Sequence, residues 1–430
     1  MSSRSPVSQF IALPTGALLA ISIALTACAP QAVPATPAPP SERPTSAPAV
    51  ETAPVATSTP TPTAAPTATA TPEPTPTSAE ITRGIQQALD LYARAFNDND
   101  PELLKQAVDQ ANLPFRRLVQ SRFQEFQRSF LGGDLAFEFE VKDIQRREFG
   151  FVQAHIETPE GLAADWLFRQ VDGRWVLSEP TVEQVGAPRI VEHEHFTFTT
   201  YPWAGDVNNE VIKRMENARL RVQERLSQAP AEKAEVHIIP IYGLTRGTNP
   251  SFIAQYLPSQ EGLDRIMIYA PRSFLFGFYD PQIGWEQDLE NVLTHEYTHM
   301  AHERNFDNAG NLATWMSEGL AEYVAGSTSI TLAFEAARTG DIIPIVDTES
   351  DVLNKQDLAH FYSLDKDIGL AYGLSQSLVT YIVETYGGLD AFWKLARALD
   401  ETQDLDEALR AAFKVTYTGF DRGWRAWLAK

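Results

Sequence analysis

The chain of 430 residues contains a single cysteine, Cys28. One thiol cannot form a disulfide within its own chain, so a disulfide-stapled fold is excluded. Zinc ribbons and iron–sulfur clusters need several cysteine ligands and are excluded for the same reason. The cysteine count therefore removes both the small disulfide scaffolds and the cysteine-rich metal proteins.

Basic residues are also scarce. The chain has 35 Lys and Arg against 56 Asp and Glu, which gives a formal net charge of −21. Nucleic-acid binding depends on basic patches, so the composition argues against a nucleic-acid partner. The acidity favours solubility and disfavours binding to anionic membrane surfaces, and it says little about the fold.

Long apolar runs are missing except at residues 11–27. This run contains a proline and a glycine and is short for a membrane-spanning helix, so it predicts the apolar part of a signal peptide spanning residues 1–27. The sequence Leu25-Thr26-Ala27-Cys28 resembles the bacterial lipobox. That resemblance implies cleavage before Cys28 and acylation of its thiol, which would anchor the protein to the extracytoplasmic face of the cell membrane. An ordinary secretory signal with a chance cysteine is the alternative.

Residues 28–80 consist mainly of proline, threonine, alanine and serine, with almost no large apolar side chain. Such a segment cannot bury enough surface to offset the entropy of an ordered chain. Proline keeps it extended, so we expect a disordered, semi-stiff tether between the membrane and the folded part.

Residues 81–188 combine a helical period with a later alternating one. Helices are expected at 81–97, 102–108 and 114–130 and strands at 135–141, 151–157, 164–171 and 174–178, with Asp172-Gly173 as a hairpin turn. Helices followed by an antiparallel meander resemble an NTF2-like domain, which implies a small α+β fold. Its one histidine, His155, has no catalytic partner in the pattern, so we expect a non-catalytic binding or spacer domain.

The residues that carry recognisable chemistry lie on one predicted helix at 287–304. It contains the HExxH motif His295-Glu296-Tyr297-Thr298-His299. Positions i and i+4 lie one turn apart on the same face of a helix, so His295 and His299 can both reach one metal ion. Glu296 is then beside the open position of that ion, which is the arrangement that a zinc hydrolase needs.

A second predicted helix at 315–323 supplies a third candidate ligand. A loop and a turn after His299 can bring the two helices antiparallel, with Glu318 facing both histidines. The three side chains would ligate one zinc ion and leave a fourth position for water. Glu322 lies one turn beyond Glu318 on the same face, where its carboxylate can accept a hydrogen bond from a ligand histidine and fix its tautomer.

HExxH followed at this distance by Glu-Gly-x-Ala-Glu resembles the gluzincin metallopeptidases, specifically the peptidase MA-like domains. The resemblance covers residues 189–430. Residues 194–198, 236–242 and 265–269 look like strands of that domain, and residues 371–387 and 424–428 look like its C-terminal helices. It implies an α+β catalytic domain in which a thermolysin-like mixed sheet packs on a helical half.

The resemblance also implies roles for individual residues. Zinc would activate a water molecule, with Glu296 as the general base and a tyrosine or histidine as donor to the oxyanion. Tyr372 is our candidate donor, with Tyr381 and Tyr323 as weaker ones. The strand at 265–269 is the candidate edge on which an extended peptide would lie.

Three alternatives concern the metal site and the reaction. A metzincin motif needs Gly at 302 and His at 305, whereas this chain has His302 and Asn305, so that class is excluded. His302 as a third histidine ligand stays open, although a hydrogen-bonded or exposed histidine is the better interpretation. A zinc hydrolase acting on an ester or another amide is not excluded by the motif.

The sequence therefore predicts a membrane-tethered, extracytoplasmic zinc metallopeptidase that acts on a peptide or protein substrate. The alternative function is a non-catalytic lipoprotein binding module on a metalloprotease scaffold. Glu296 favours the enzyme, because a degenerate scaffold has no need of the base together with all three ligands.

Overall fold

The computed structural model describes most of the chain from residue 76 onwards. The described residues are 76–129, 136–227, 229–230, 232–245, 253–259, 263–305, 312–340, 342 and 368–430. The predicted signal peptide, Cys28 and the tether up to residue 75 lie outside them. Residues 78–430 belong to one compact unit. Among the residues described, no helix has the length and apolar character needed to cross a membrane.

Three helices open the described chain: α1 (Ser78–Asn97), α2 (Pro101–Ala107) and α3 (Leu113–Ser129). In α1 the residues Ile81, Ile85 and Leu89 form a buried stripe at helical spacing. Asp100 caps α2 by accepting a hydrogen bond from the backbone N–H of Glu102 (2.8 Å). All three helices were predicted and their existence is confirmed, although α1 begins at Ser78, within the tether that was predicted to extend to residue 80.

An antiparallel meander follows, consisting of β1 (Glu140–Arg146), β2 (Phe151–Glu157), β3 (Ala163–Val171) and β4 (Arg174–Leu177). The strands pair in chain order. The turn between β3 and β4 places Asp172 at φ 49° and Gly173 at φ 75°, and two positive φ values define the hairpin turn that this dipeptide predicts. The predicted meander is thus confirmed, while its assignment as NTF2-like stays a prediction.

The first strand begins later than the sequence indicates. A strand over 135–141 was predicted, yet β1 starts at Glu140 and residue 135 lies outside the described residues. The side chain of Asn97 bonds both backbone groups of Phe137, at 2.7 and 3.0 Å. Gln86 likewise donates to the carbonyl of Phe139 (2.7 Å). Because amide side chains of α1 satisfy this backbone, the alternating phenylalanines bury their rings without a strand partner.

A short helix, α4 (Val182–Val185), leads into a mixed sheet. Its elements are β5 (Arg189–Glu192), β6 (Phe196–Thr200), helix α5 (Gly205–Leu226), β7 (Ala234–Ile239), β8 (Ala254–Leu257) and β9 (Arg265–Tyr269). The strand order is β5-β6-β7-β9-β8, with parallel pairing of β6 with β7 and of β7 with β9 and antiparallel pairing at both margins. Strand β9 has its predicted bounds, but the prediction that it is the edge is wrong, because β8 pairs on its outer side.

Seven further helices complete the described chain. They are α6 (Trp285–Asn305), α7 (Thr314–Ala325), α8 (Ile330–Thr339), α9 (Ile368–Tyr386), α10 (Leu389–Thr402), α11 (Leu405–Phe413) and α12 (Tyr417–Leu428). One apolar core joins α5 and β6–β9 to these helices, including Tyr297, Trp315 and Trp424. The mixed sheet and the helical half together give the predicted α+β class.

The N-terminal part and the mixed sheet share a second core. Phe274, which follows β9, packs its ring 4.9 Å from Trp166 of the meander and 5.6 Å from Phe115 of α3, measured between ring centroids. Ile239 and Tyr269 at the ends of β7 and β9 belong to the same cluster. Aromatic side chains from both parts of the chain therefore pack between α1 and the meander.

Candidate metal centre

Helix α6 contains the HExxH motif. The chain enters α6 after Gly284, which has φ 84°, and runs without interruption past His295 and His299. The two rings lie one turn apart, with centroids 4.8 Å from each other. Both side chains are buried, as is Glu296 between them in the sequence.

Helix α7 brings Glu318 to the two histidines. Oε2 of Glu318 lies 3.1 Å from Nε2 of His295 and 3.4 Å from Nε2 of His299. The two Nε2 atoms are 3.1 Å apart. The structure thus brings together the three ligands predicted from the sequence, and among the described residues they form the one cluster with metal-ligand spacing.

The donor set fits a zinc ion on geometric grounds. Zinc bound tetrahedrally at its usual distances to nitrogen and oxygen separates its ligand atoms by about 3.3 Å. The three separations of 3.1, 3.1 and 3.4 Å are close to that value. Two imidazoles and one carboxylate also form the ligand set typical of a catalytic zinc site, with a fourth position left for water.

The electrostatics of the cluster favour a bound cation. Burial by itself would lower the pKa of His295, but its hydrogen bonds with Glu318 and Glu322 outweigh burial and raise this pKa well above its ordinary value. Burial would raise the pKa of Glu318, yet His299 and the hydrogen bond to His295 hold it well below its ordinary value. The surrounding charges therefore stabilise a positive charge at the place where a metal ion would bind.

Glu322 lies behind His295. Its Oε1 is 2.9 Å from Nδ1 of His295, on the side of the ring opposite to Glu318. The hydroxyl of Ser327 donates to the same carboxylate. Glu322 is thus placed where it can hold the Nδ1–H tautomer of His295, the outer role predicted for it.

Glu296 faces the sheet edge. Its Oε2 accepts a hydrogen bond of 2.7 Å from the backbone N–H of Tyr256 in β8. Burial raises the pKa of Glu296, and the nearby His295 and His299 oppose that rise. The hydroxyl oxygen of Tyr256 lies 3.2 Å from a carboxylate oxygen of Asp264 and 3.2 Å from one of Glu303. The contact with Glu303 links β8 to the last turn of α6.

The three tyrosines that are candidate oxyanion donors lie in different parts of the structure. Tyr372 of α9 packs its ring 6.1 Å from the ring of His295, measured between centroids. Tyr381 instead packs against Phe420 and Tyr386 in the C-terminal helices. Tyr323 lies beneath the guanidinium of Arg225. Of the three tyrosines, only Tyr372 has a ring contact with one of the candidate ligands.

His302 lies outside the ligand cluster. Its Nε2 is 3.4 Å from Nδ1 of His299, the nitrogen that points away from Glu318. The hydroxyl oxygen of Ser317 is 3.0 Å from the same Nε2. Burial, reinforced by His299, lowers the pKa of His302 to about 3, so this ring is neutral at pH 7.

His155 has polar neighbours in the structure, although the sequence pattern showed no catalytic partner for it. Its Nδ1 lies 3.1 Å from Asp165 on β3, and the Tyr279 hydroxyl donates to the same carboxylate at 3.0 Å. Tyr279 also exchanges two backbone hydrogen bonds with Ala163, both 2.8 Å long. These contacts join the meander to the segment before α6, which agrees with a structural role for His155.

Two features of the site were not predicted: the contact of Glu296 with β8 and the position of Ser317. Strand β8 has four residues, which leaves only a short stretch for a period to show. Ser317 directly precedes the predicted ligand Glu318, and that adjacency was the one available signal. His302 lies three positions after His299 on α6. This spacing alone does not reveal which side chain of another helix His302 contacts.

Comparison with known families places the site within a recognised type of domain. Residues 274–430 match the family model of the Peptidase MA superfamily. This stretch contains all three candidate ligands, Glu296 and Tyr372. The match supports a peptidase MA-like domain in this part of the chain, and that superfamily is typically metal-dependent. A search of curated proteins gave no match.

Proposed function

We propose that this chain is a zinc metallopeptidase of the gluzincin type, tethered to the extracytoplasmic face of the membrane. One observation carries the proposal: His295, His299 and Glu318 converge with separations that fit zinc, and Glu296 adjoins them. The match to the Peptidase MA superfamily supports a peptidase-like enzyme.

In the proposed reaction, the zinc ion and the protein side chains have different roles. Zinc held by the three ligands would polarise the scissile carbonyl and supply a water molecule whose pKa is near neutrality. Glu296 would accept the proton of that water and pass it to the leaving amine. Because the Tyr256 N–H holds Oε2 of Glu296, Oε1 is the oxygen left for proton transfer. Tyr372 beside His295 is the proposed donor to the oxyanion.

Strand β8 is the proposed docking edge for an extended peptide. The N–H of Tyr269 in β9 donates to the carbonyl of Ile253. Hydrogen-bonded positions alternate along an antiparallel pair, so the backbone groups of Ala254 and Tyr256 point away from β9 towards the free edge. The Tyr256 N–H is taken by Glu296, so a substrate strand could add at Ala254 and at the carbonyl of Tyr256, directly beside Glu296.

The enzymatic assignment is tested by replacing Glu296 with glutamine. We expect Glu296→Gln to bind zinc as the wild type does and to lose at least about 100-fold in turnover of a peptide library, because the proton acceptor is removed. Glu286→Gln, on the first turn of the same helix, is the control and should keep wild-type activity. Equal activity in Glu296→Gln would refute the general-base role. Cleavage of esters with no cleavage of peptides would point to the other hydrolase class.

Membrane attachment rests on the lipobox resemblance at residues 25–28, which lies outside the described part of the chain. We expect Cys28→Ser to move the protein from the membrane fraction to the soluble fraction, since the serine cannot carry the thioether-linked lipid. Fractionation of cells expressing either form measures this. An uncleaved variant that stays in the membrane would show that residues 11–27 are themselves the anchor.

A further inference from the structure

Ser317 lies between two imidazoles on the far side of His299 from the ligand cluster. Its Oγ is 3.0 Å from Nδ1 of His299 and 3.0 Å from Nε2 of His302. The other nitrogen of His299, Nε2, faces His295 and Glu318. The His299 ring therefore has one nitrogen towards the ligand cluster and the other towards Ser317.

His302 depends on the same hydroxyl for its orientation. The ring is buried, and within the described part of the chain its Nδ1 has no hydrogen-bond partner. Among the described residues, its Nε2 contacts Ser317 and the Nδ1 side of His299. His302 consequently cannot reach the ion as a ligand, although it is close enough to act through Ser317.

We propose that Ser317 and His302 are positioning residues that hold His299 in the tautomer able to bind zinc. This inference rests on the metal centre proposed above.

The direction of the hydrogen bonds follows from the chemistry of imidazole. A neutral imidazole has one N–H donor and one acceptor nitrogen, and a nitrogen that binds a metal must be unprotonated. With Nε2 of His299 as the ligand atom, its proton is on Nδ1 and is donated to Oγ of Ser317. The Ser317 hydroxyl proton is then free to be donated to Nε2 of His302. The opposite direction would place the His299 proton on Nε2 and block the ligand atom.

The second candidate ligand histidine also has a polar group near its outer nitrogen. Nδ1 of His295 faces Glu322 at 2.9 Å, just as Nδ1 of His299 faces Ser317. Each ligand ring thus has an outer partner on the nitrogen that does not bind the ion. The partner of His295 is a carboxylate, whereas the partner of His299 is a hydroxyl backed by a third imidazole.

The test is the zinc affinity of the full chain, measured by competition with a chromogenic chelator. We expect Ser317→Ala to weaken zinc binding by about 10- to 100-fold, the usual effect of losing such an outer partner. Ser317→Thr keeps the hydroxyl and should restore affinity close to wild type. His302→Leu should also weaken binding, and its effect should not add fully to that of Ser317→Ala, because both changes interrupt one chain of hydrogen bonds.

Ser377→Ala is the matched control for general destabilisation. Ser377 is a buried serine of α9 whose hydroxyl accepts from Trp424 and donates to a backbone carbonyl, away from the histidines. We expect this variant to bind zinc as the wild type does. As a second readout, nitrogen NMR of the zinc-loaded chain should show the His299 proton on Nδ1.

Zinc bound equally by the wild type and by Ser317→Ala would overturn the positioning role and leave the metal centre intact. A failure of Ser317→Thr to restore affinity, or an equal loss in Ser377→Ala, would also overturn it. Absence of zinc from every form, the wild type included, would overturn the metal centre and this inference together.

Discussion

At the scale of single residues, three buried glutamates around the histidines differ in the ionisation that their surroundings favour. Burial raises the pKa of Glu296, which accepts a hydrogen bond from the backbone N–H of Tyr256. Glu318 and Glu322 are buried as deeply, but contacts with His299 and His295 lower the pKa of Glu318, and contacts with His295 lower the pKa of Glu322. Carboxylates paired with imidazole suit a ligand and its outer partner, whereas a buried carboxylate with raised pKa suits a group that accepts a proton.

Spacing along the helix was sufficient to predict that the two candidate ligand histidines lie together. His295 and His299 are four positions apart, which fixes their common face without knowledge of the fold. The partners of Nδ1 in His299 could not be predicted in this way. Ser317 and His302 come from two helices, and their contact depends on the rotation and approach of those helices.

At the scale of elements, the position of Glu318 depends on close packing of α7 against α9. Gly319 follows Glu318 directly. A Cβ at Gly319 would clash with the backbone carbonyl of Ser375 and lie 2.7 Å from Cγ2 of Val379. The glycine in the Glu-Gly-x-Ala-Glu sequence thus allows α9 to approach the helix that carries the third ligand.

This packing predicts the effect of a single methyl group. We expect Gly319→Ala to lower the free energy of unfolding by at least about 2 kcal/mol, because the backbone of α9 cannot yield as a side chain would. The same shift should weaken zinc binding, since Glu318 moves with the helix. Thermal unfolding and chelator competition measure the two effects.

Gly205→Ala is the control, because a Cβ at this helix-start position meets open space and φ is −54°. It should be neutral or slightly stabilising. Wild-type stability in Gly319→Ala would show that α7 and α9 do not pack as closely as described.

Periodicity predicted several elements, but the 22-residue helix α5 was not predicted. The helices at 78–97 and 285–305 and strands β2 and β3 of the meander show a period, and the Asp172-Gly173 turn marks the four-residue strand β4. Strands β5 and β8 have four residues each and were missed. Missing β8 also led to the wrong edge strand, since the order of strands is set by long-range pairing that one sequence does not display.

At the scale of the whole molecule, Glu179 joins the N-terminal part to the mixed sheet. Its carboxylate is buried and accepts hydrogen bonds from the backbone of Tyr242 (2.8 Å) and from Ser273 and Phe274 (3.2 and 3.3 Å). Burial raises the pKa of Glu179 to about 7, although these hydrogen bonds oppose the rise. A domain boundary at 188/189 stays a prediction, and the two parts on either side of it share a core.

The raised pKa of Glu179 predicts a specific dependence of stability on pH. Between the ordinary value of 4.5 and about 7, the folded chain keeps a proton that the unfolded chain has released. The stability contributed by this group is therefore full below pH 4.5 and is lost as the pH rises through 7. We expect the free energy of unfolding of the wild type to fall, relative to Glu179→Gln, by about 3 kcal/mol across this window.

Urea unfolding of both forms at a series of pH values measures this difference. Glu160→Gln, on the exposed turn between β2 and β3, is the control and should follow the wild-type curve. Parallel curves for the wild type and Glu179→Gln would show that the carboxyl group at this junction titrates alike in the folded and unfolded chains.

The most direct test of the central claim is the zinc content of the purified protein, measured by elemental analysis beside that of Glu318→Ala. The account predicts about one zinc per wild-type chain and its loss from the variant, because a site of two imidazoles cannot hold the ion as firmly as the three-ligand set. A wild-type chain that takes up no zinc even after reconstitution would contradict the metal centre and favour a non-catalytic binding module.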